Sequence, residues 1–290
     1  LTEVDIDCTS LNLNDSTGLF NECSSLRRVS FGDGVTTLPR YSYSYYDGPF
    51  VGCTNLAEVA VGSGVTKVPA AFLSSNYGNK QPKPGKVSFA GLIESVGDHS
   101  LCRSSLTNLV ISLAVGCTVG SDAFSGCPGV NSRNIDFDRI ATVGSSAFAR
   151  CVNIDGAVNL DRAKTIGSSA FSGCTGIETV RFCDSLTSIG SSAFYNCTNA
   201  SSFAFVGAPP SVGSSAFNNV KSGAVGTYTA EHAAAWEAVI DSKGYWNGLK
   251  MQPSYYTVIY DANNGTGART TATVEWGEPT PAGDGSFTWE

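Results

Sequence analysis

The sequence predicts an α/β repeat solenoid. This is a right-handed coil of rungs about 23 residues long, with a parallel β-sheet on one face and short helical or irregular return segments. Three observations carry the prediction. An Ala-Phe pair recurs with its phenylalanines at Phe124, Phe148, Phe171, Phe194 and Phe217, which are 24, 23, 23 and 23 residues apart. A cysteine follows three residues later on the same beat, at Cys127, Cys151, Cys174 and Cys197. After most of these cysteines comes an apolar triplet spaced as Ile177, Val180 and Phe182, and its last two members alternate as in a strand.

The earlier rungs obey the same rule. Phe20, Phe50, Phe72 and Leu101 fill the aromatic slot, and Cys23 and Cys53 fill the thiol slot, which makes nine units in all. The triplet returns as Leu26, Val29 and Phe31, then Leu56, Val59 and Val61, then Leu106, Leu109 and Ile111. In the rungs after Cys127 and Cys151 the strand pairs, Ile135 with Phe137 and Val158 with Leu160, are slipped forward. A polar, Gly-rich turn leads to a second apolar pair, such as Leu186 and Ile189, before the next Gly-Ser-Ser-Ala-Phe. A lone rung cannot bury its apolar face, but stacked rungs can. At roughly 4.8 Å per strand, nine of them give a stack on the order of 40 Å long.

Two insertions lengthen the N-terminal rungs. Phe20 and Phe50 are 30 residues apart, and the extra material includes Tyr41, Tyr43, Tyr45 and Tyr46 interleaved with Ser42 and Ser44. Phe72 and Leu101 are 29 apart, with a loop from Ser75 to Lys86. After Phe217 the beat stops. Residues 230–240 are Ala-rich, with Trp236 and Val239 at helical spacing, so a short amphipathic helix is expected to cover the last rung. Gln252-Pro253-Ser254 reads as a linker, and from Tyr255 alternating residues run into an Asn-Gly turn, the signature of a hairpin. The expected division is a solenoid over 1–225, a helical cap over 226–252 and a small β-rich module over 253–290.

The repeated Ile-Gly-x-x-Ala-Phe-x-x-Cys-x-x-Leu-x-x-Val-x-Phe unit, from about residue 4 to 225, resembles the BspA-type (treponeme-type) bacterial leucine-rich repeat. It departs from that pattern at Ser75 and Ser104 in the cysteine slot and at Leu101 in the aromatic slot. The stretch from Tyr256 to Thr266 resembles the start of the small Listeria–Bacteroides surface repeat, and it is expected to stop short of a full module. The first resemblance implies a leucine-rich-repeat solenoid and a secreted or surface-exposed bacterial protein, often an adhesin toward host proteins.

Composition sets limits. The chain is 42% hydrophobic and only 15% charged, so it is ordered, with a neutral polar surface. A net charge of -7 with 18 Lys and Arg argues against nucleic acid and against attachment to anionic lipid. No apolar run is long enough to span a bilayer. Leu1 is preceded by no charged and apolar leader, so a signal peptide is expected to have been removed or to lie outside this chain.

Catalytic and metal readings find little support. The ten cysteines include no Cys-x-x-Cys, and His99 and His232 are the only imidazoles, so spacing gives no structural zinc site. The slot cysteines are expected to be a ladder of buried free thiols, though a disulfide between rungs is not forbidden by distance. Cys8, Cys102, Cys117 and Cys183 lie off that ladder. Asp98-His99-Ser100 falls on a repeat turn, whereas catalytic triads assemble from separate segments. Asp136 with Asp138, and Asp155 with Asp161, are the nearest carboxylate pairs for a glycosidase, but they sit on solvent faces. Asp5 and Asp7 lack the Gly and Glu of a calcium loop. No enzyme and no cofactor is expected.

Binding is the remaining class. Outward strand positions carry Arg28, Asn108, Asn134 and Arg181, with small or mixed-sign neighbours. Tyr41, Tyr43, Tyr45 and Tyr46 have the composition of antibody contact loops, and they equally suit a plug over the N-terminal rungs. The expectation is a non-catalytic surface protein contacting an extracellular protein: a host matrix or plasma protein, or another bacterial surface protein. Glycan capture and a spacer role are the alternatives.

Overall fold

The computed structural model describes residues 1–7, 19–40, 47–74 and 80–254 in full, together with the backbone of strands Leu11–Asn12, Tyr255–Asp261 and Arg269–Glu275. The Tyr41–Tyr46 loop, Ser75 and Cys8 lie outside the described residues.

The predicted solenoid is observed, and it has two strand ladders. The triplet segments form the first, which runs through Glu3–Ile6, Arg28–Phe31, Glu58–Val61 and the starts of Lys86–Val96 and Asn108–Val119. Their pairing is parallel and in register, so Val29, Val59, Val87 and Leu109 stack inward. The return segments, expected as helical or irregular, supply a second ladder. It passes through Lys67–Val68, the ends of the two long strands, Ile140–Val143, Thr165–Ile166, Ser188–Ile189 and Ser211–Val212. The apolar pair of the return segment explains this, because its second member is buried: Val68, Val143, Ile166 and Ile189 are all nearly inaccessible.

At Lys86–Val96 and Asn108–Val119 strand structure carries on through the corner between the ladders, giving single strands of 11 and 12 residues whose pairing shifts register twice there. The next rung then loses its first-ladder strand. Ile135 and Phe137 keep their buried side chains, but Phe137–Arg139 is a 3-10 turn. The sequence Asn131-Ser132-Arg133-Asn134 is the local cause. Asn134 Oδ1 accepts from the Asn131 N–H at 2.9 Å, and Asn131 Oδ1 accepts from the Arg133 N–H at 2.9 Å. These bonds offer the backbone an alternative to a ladder. The first ladder resumes as a separate six-stranded sheet containing Gly156–Leu160, Ile177–Phe182, Ser202–Phe205, Val225–Tyr228 and Leu249–Pro253. The slip at Val158 and Leu160 is absorbed by a register shift between Gly156 and Ala157.

The turns carrying the Phe and Cys slots knit the rungs together. The N–H groups of Phe124, Phe148, Phe171 and Phe194 each donate to the alanine carbonyl of the next rung at 2.8 Å. Phe124, Phe148, Phe171, Phe194 and Phe217 form a column of nearly parallel rings 5.3 to 5.9 Å apart. Beside it, Cys151, Cys174 and Cys197 each donate the thiol to the phenylalanine carbonyl one rung back, at 3.0, 3.0 and 3.1 Å. The described cysteines are free thiols. Ser104 occupies the slot differently, its hydroxyl donating within its own rung to Leu101 O at 2.9 Å. Burial pushes the thiols of Cys151 and Cys197 up to about 12 and that of Cys174 upward as well. They are inert packing groups.

The C-terminal end differs from the helical cap expected over 226–252. Val225–Tyr228 and Leu249–Pro253 are further first-ladder strands, and the residues expected as a linker, through Pro253, belong to the second of them. Only Ala233–Glu237 is α-helical, and Val239 lies beyond it, exposed. The helix still seats Trp236 on the last rungs. Its ring is fully buried against Phe205 and Trp246, at 4.9 and 4.8 Å, and its indole N–H donates to Gly207 O at 2.9 Å. Tyr255–Asp261 and Arg269–Glu275 form an antiparallel hairpin. Among the described residues, no helix is long and apolar enough to cross a membrane.

Candidate interaction surface

The outward face of the N-terminal first ladder is arranged in rows. Parallel register aligns Arg28, Glu58, Lys86 and Asn108 in one row, and Asp5, Ser30, Ala60, Ser88 and Val110 in the next. The first row is a chain of alternating charge. Glu58 lies 3.7 Å from Arg28 and 2.8 Å from Lys86, and Arg28 lies 3.8 Å from Asp5. The hydrogen bond from Lys86, with both neighbouring cations, holds the Glu58 carboxyl below its usual range. Arg28 is therefore engaged within its own sheet, and Asn108 closes the row as an exposed amide.

Above the charged row the face turns apolar. A shallow depression of about 390 Å³ is lined by Ala60, Ser88, Ala90 and Val110 together with Gly32, Asp33 and Gly62. On the two long strands, Leu92, Val110 and Val115 are 57%, 51% and 62% exposed. Of these three, Val110 lines the depression, and Leu92 and Val115 stand farther along the same two strands. Asp33 also lines the depression, and Ser63, whose backbone N–H and hydroxyl donate to its carboxylate at 2.7 and 2.9 Å, holds that carboxyl below its ordinary range.

A second hollow of about 370 Å³ lies at the ladder break, lined by Thr107, Asn131, Arg133, Asn153 and Asp155 with Pro128 and Val152. Here Asn134 differs from its expected role. It lies in the turn rather than on the strand face, and its amide donates to Gly129 O at 2.6 Å and Leu109 O at 3.2 Å. Arg139 caps the same strand edge at Leu113 O, 3.2 Å away. Asn134 is thus a clasp over the edge of Asn108–Val119. Arg181 faces outward as expected, on the six-stranded sheet, but its guanidinium is paired with Asp161. The structure brings Arg28 and Asn108 into one row and leaves Asn134 and Arg181 elsewhere. The tyrosines fall outside the described residues.

Several of the catalytic candidates are engaged within the fold, Asp161 by its pairing with Arg181. Ser100 is fully buried and its hydroxyl donates to Pro69 O and Gly97 O at 2.6 and 2.7 Å. Asp136 lies 3.5 Å from Arg139, and His232 Nε2 lies 3.1 Å from Asp184. The sequence places Val110 outward beside Asn108 but does not extend the exposed apolar face to Leu92 and Val115. The signal was present in the alternation of Lys86–Val96, which continues past the usual strand length and sends Ala90 and Leu92 outward.

The comparisons with known proteins follow the geometry. No curated protein matches the chain. Among solved structures, a leucine-rich repeat protein from Bacteroides ovatus ATCC 8483 is similar over 87% of this chain and 69% of its own. Its identity is 16% and its TM-score 0.41. A leucine-rich cell surface protein from Faecalibacterium prausnitzii A2-165 is similar over 82% of this chain and 81% of its own, at 14% identity and a TM-score of 0.34. The family described as BspA type leucine rich repeat region matches residues 1–79 and 94–223 in six copies. The match covers most of the chain, and its repeat is the one whose Phe and Cys slots build the two columns of the core: the chain belongs to the BspA-type leucine-rich repeat family.

Proposed function

We propose that this chain is a non-catalytic binding protein of a bacterial surface, an adhesin that contacts an extracellular protein of a host or of a neighbouring cell. The observation that carries this reading is the exposure of Leu92, Val110 and Val115 on two neighbouring strands, with Val110 lining the depression at Ala60 and Ser88, set against the charged row. An apolar centre with a charged rim is the anatomy of a protein contact. The alternating signs of that row favour register and orientation of a partner over raw affinity. The Tyr41–Tyr46 loop belongs to the same proposal as an accessory contact.

The polar hollow at the ladder break favours a second reading, glycan capture, because Thr107, Asn131, Arg133, Asn153 and Asp155 offer donors and acceptors suited to hydroxyls.

The test is binding of the purified chain to arrays of matrix and plasma proteins and of glycans. Three variants run in parallel: Leu92→Ser with Val110→Ser, Arg133→Ala with Asn153→Ala, and Tyr41, Tyr43, Tyr45 and Tyr46 changed to Ser. A protein hit that weakens at least about tenfold in the first variant supports adhesion through these side chains, since a contact anchor is worth about 1 kcal/mol or more. A glycan hit sensitive to the second variant replaces the reading with capture. Silence on both arrays leaves a spacer.

A further inference from the structure

Aligning the rungs slot by slot isolates one place where the repeat abandons its consensus. In the turn preceding the Phe slot, the left-handed position is Ser146, Ser169, Ser192 and Ser215 in the C-terminal rungs, with φ between 54 and 58°. In two successive rungs it is His99 and Asp122, with φ of 55 and 53°. The slot after the aromatic residue is Ser125, Ala149 or Ser172 in neighbouring rungs, and Cys102 in the rung of His99. All three departures put metal-ligating side chains where the rungs of Phe148 and Phe171 carry Ser or Ala.

The fold brings them together. The turns are locked across rungs by backbone bonds from His99 N to Ser121 O and from Asp122 N to Ser145 O, each 2.8 Å. His99 Nδ1 lies 3.9 Å from Asp122 Oδ2, and the imidazole nitrogen, the Cys102 Sγ and the carboxylate oxygen all lie within 4.8 Å of one another. It is the one grouping of this kind among the described residues. Cys102 is buried, His99 has 14% of its side chain accessible and Asp122 34%, so the site is walled on the core side and open to solvent on the other.

We propose that His99, Cys102 and Asp122 form a binding site for a divalent ion of the zinc class, bridging two adjacent rungs. One nitrogen, one sulfur and one oxygen donor are the mix that a borderline-soft ion accepts, and magnesium or calcium would reject the thiolate. Tetrahedral zinc with bonds of about 2.0–2.3 Å sets its donors about 3.3–3.8 Å apart. The present separations close to that by side-chain rotation of about 1 Å. Binding forms the metal–sulfur bond and releases the Cys102 thiol proton to solvent. The fourth position faces outward and takes water or a ligand atom from a partner.

The repeat supplies its own controls. His99→Ser, Cys102→Ser and Asp122→Ser each install a residue that the same slot carries in another rung, Ser146, Ser125 and Ser146 respectively, so folding is kept. The experiment is titration of the full chain, stripped with chelator, with cobalt(II) chloride and then with zinc chloride. The expected result is one equivalent bound, a thiolate-to-cobalt charge-transfer band that zinc abolishes, and loss of the band in Cys102→Ser. His99→Ser and Asp122→Ser weaken zinc binding by about 100-fold or more, at least the cost of losing an outer-shell partner. Absence of saturable binding, or a cobalt spectrum unchanged in Cys102→Ser, overturns the site.

Discussion

Gly144→Ala is the most demanding test of how the rungs are stacked. A methyl built on Gly144 would lie 2.5 Å from Gly120 C, 2.6 Å from Ser121 N and 2.7 Å from Gly120 O, all backbone atoms of the rung before. Ordinary contact starts at 3.4 Å, so the rungs would have to part by about 0.9 Å at this point. They cannot part cheaply. Gly144 N donates to Val119 O at 2.7 Å, Asp122 N to Ser145 O at 2.8 Å and Phe148 N to Ala170 O at 2.8 Å, which fixes the turn from both sides. Overpacking costs about 1–3 kcal/mol where side chains can yield. With only backbone to yield, about 3 kcal/mol is the working figure. The stiffer unfolded chain returns about 0.4–1 kcal/mol, which leaves a net loss of about 2–3 kcal/mol. Gly173→Ala is the comparison. Gly173 has a φ of 75°, but its methyl would meet nothing closer than 3.5 Å, so only left-handed strain of about 1 kcal/mol applies. Urea unfolding of both variants measures the difference. For a chain of this size, with m near 3 kcal/mol/M, Gly144→Ala lowers the midpoint by about 1 M. A midpoint for Gly144→Ala no lower than that of Gly173→Ala would refute the close-stacking argument.

Other perturbations have equally definite outcomes. Trp236→Ala removes a fully buried ring and the bond to Gly207 O, and a loss of about 3–5 kcal/mol is expected in the same assay. Glu58→Lys places a cation between Arg28 and Lys86; the loss is about 1 kcal/mol at low salt and fades as salt is added, which thermal melts at two ionic strengths resolve. The slot thiols Cys53, Cys151 and Cys197 sit near 12 in the folded chain against an ordinary 9.0. Their contribution is therefore complete below pH 9 and is lost as pH rises toward 12, because above 9 only the unfolded chain releases those protons. Stability measured across that window falls, and a Cys151→Ser, Cys197→Ser variant flattens the fall. A flat profile in the parent chain contradicts the burial of the thiols.

The solenoid was legible because its signal is repeated. Phe148, Phe171 and Phe194 with their cysteines announce the column directly, and the triplets announce the first ladder. The second ladder was less legible because its strands are two to four residues long, too short for alternation to declare itself at Thr165–Ile166 or Ser188–Ile189. The break at Phe137 kept its apolar spacing while side-chain bonds from Asn131 and Asn134 changed the backbone, so a slipped strand was expected where a 3-10 turn forms. At the C-terminus, Trp236 suggested a helix, but Gly226 and Met251 sit opposite each other on strands. Gly and a lone Met carry little strand propensity, and pairing with the preceding rung overrode it. The surface residues were legible as outward-facing but not as engaged. Nothing in the spacing of Arg28 or Arg181 names Glu58 or Asp161 as a partner, because such pairs form between rungs.

The turn at Phe137–Arg139 divides the first ladder while the second runs on past it. In a one-dimensional array each rung is held only by its neighbours, and the coupling between two rungs scales with what joins them. At this junction a row of backbone bonds is replaced by the side chains of Asn134 and Arg139. Coupling between the N-terminal rungs and the C-terminal block sealed by Trp236 therefore rests here on the second ladder, the bonded turns and these two side chains, with no first-ladder strand to share it.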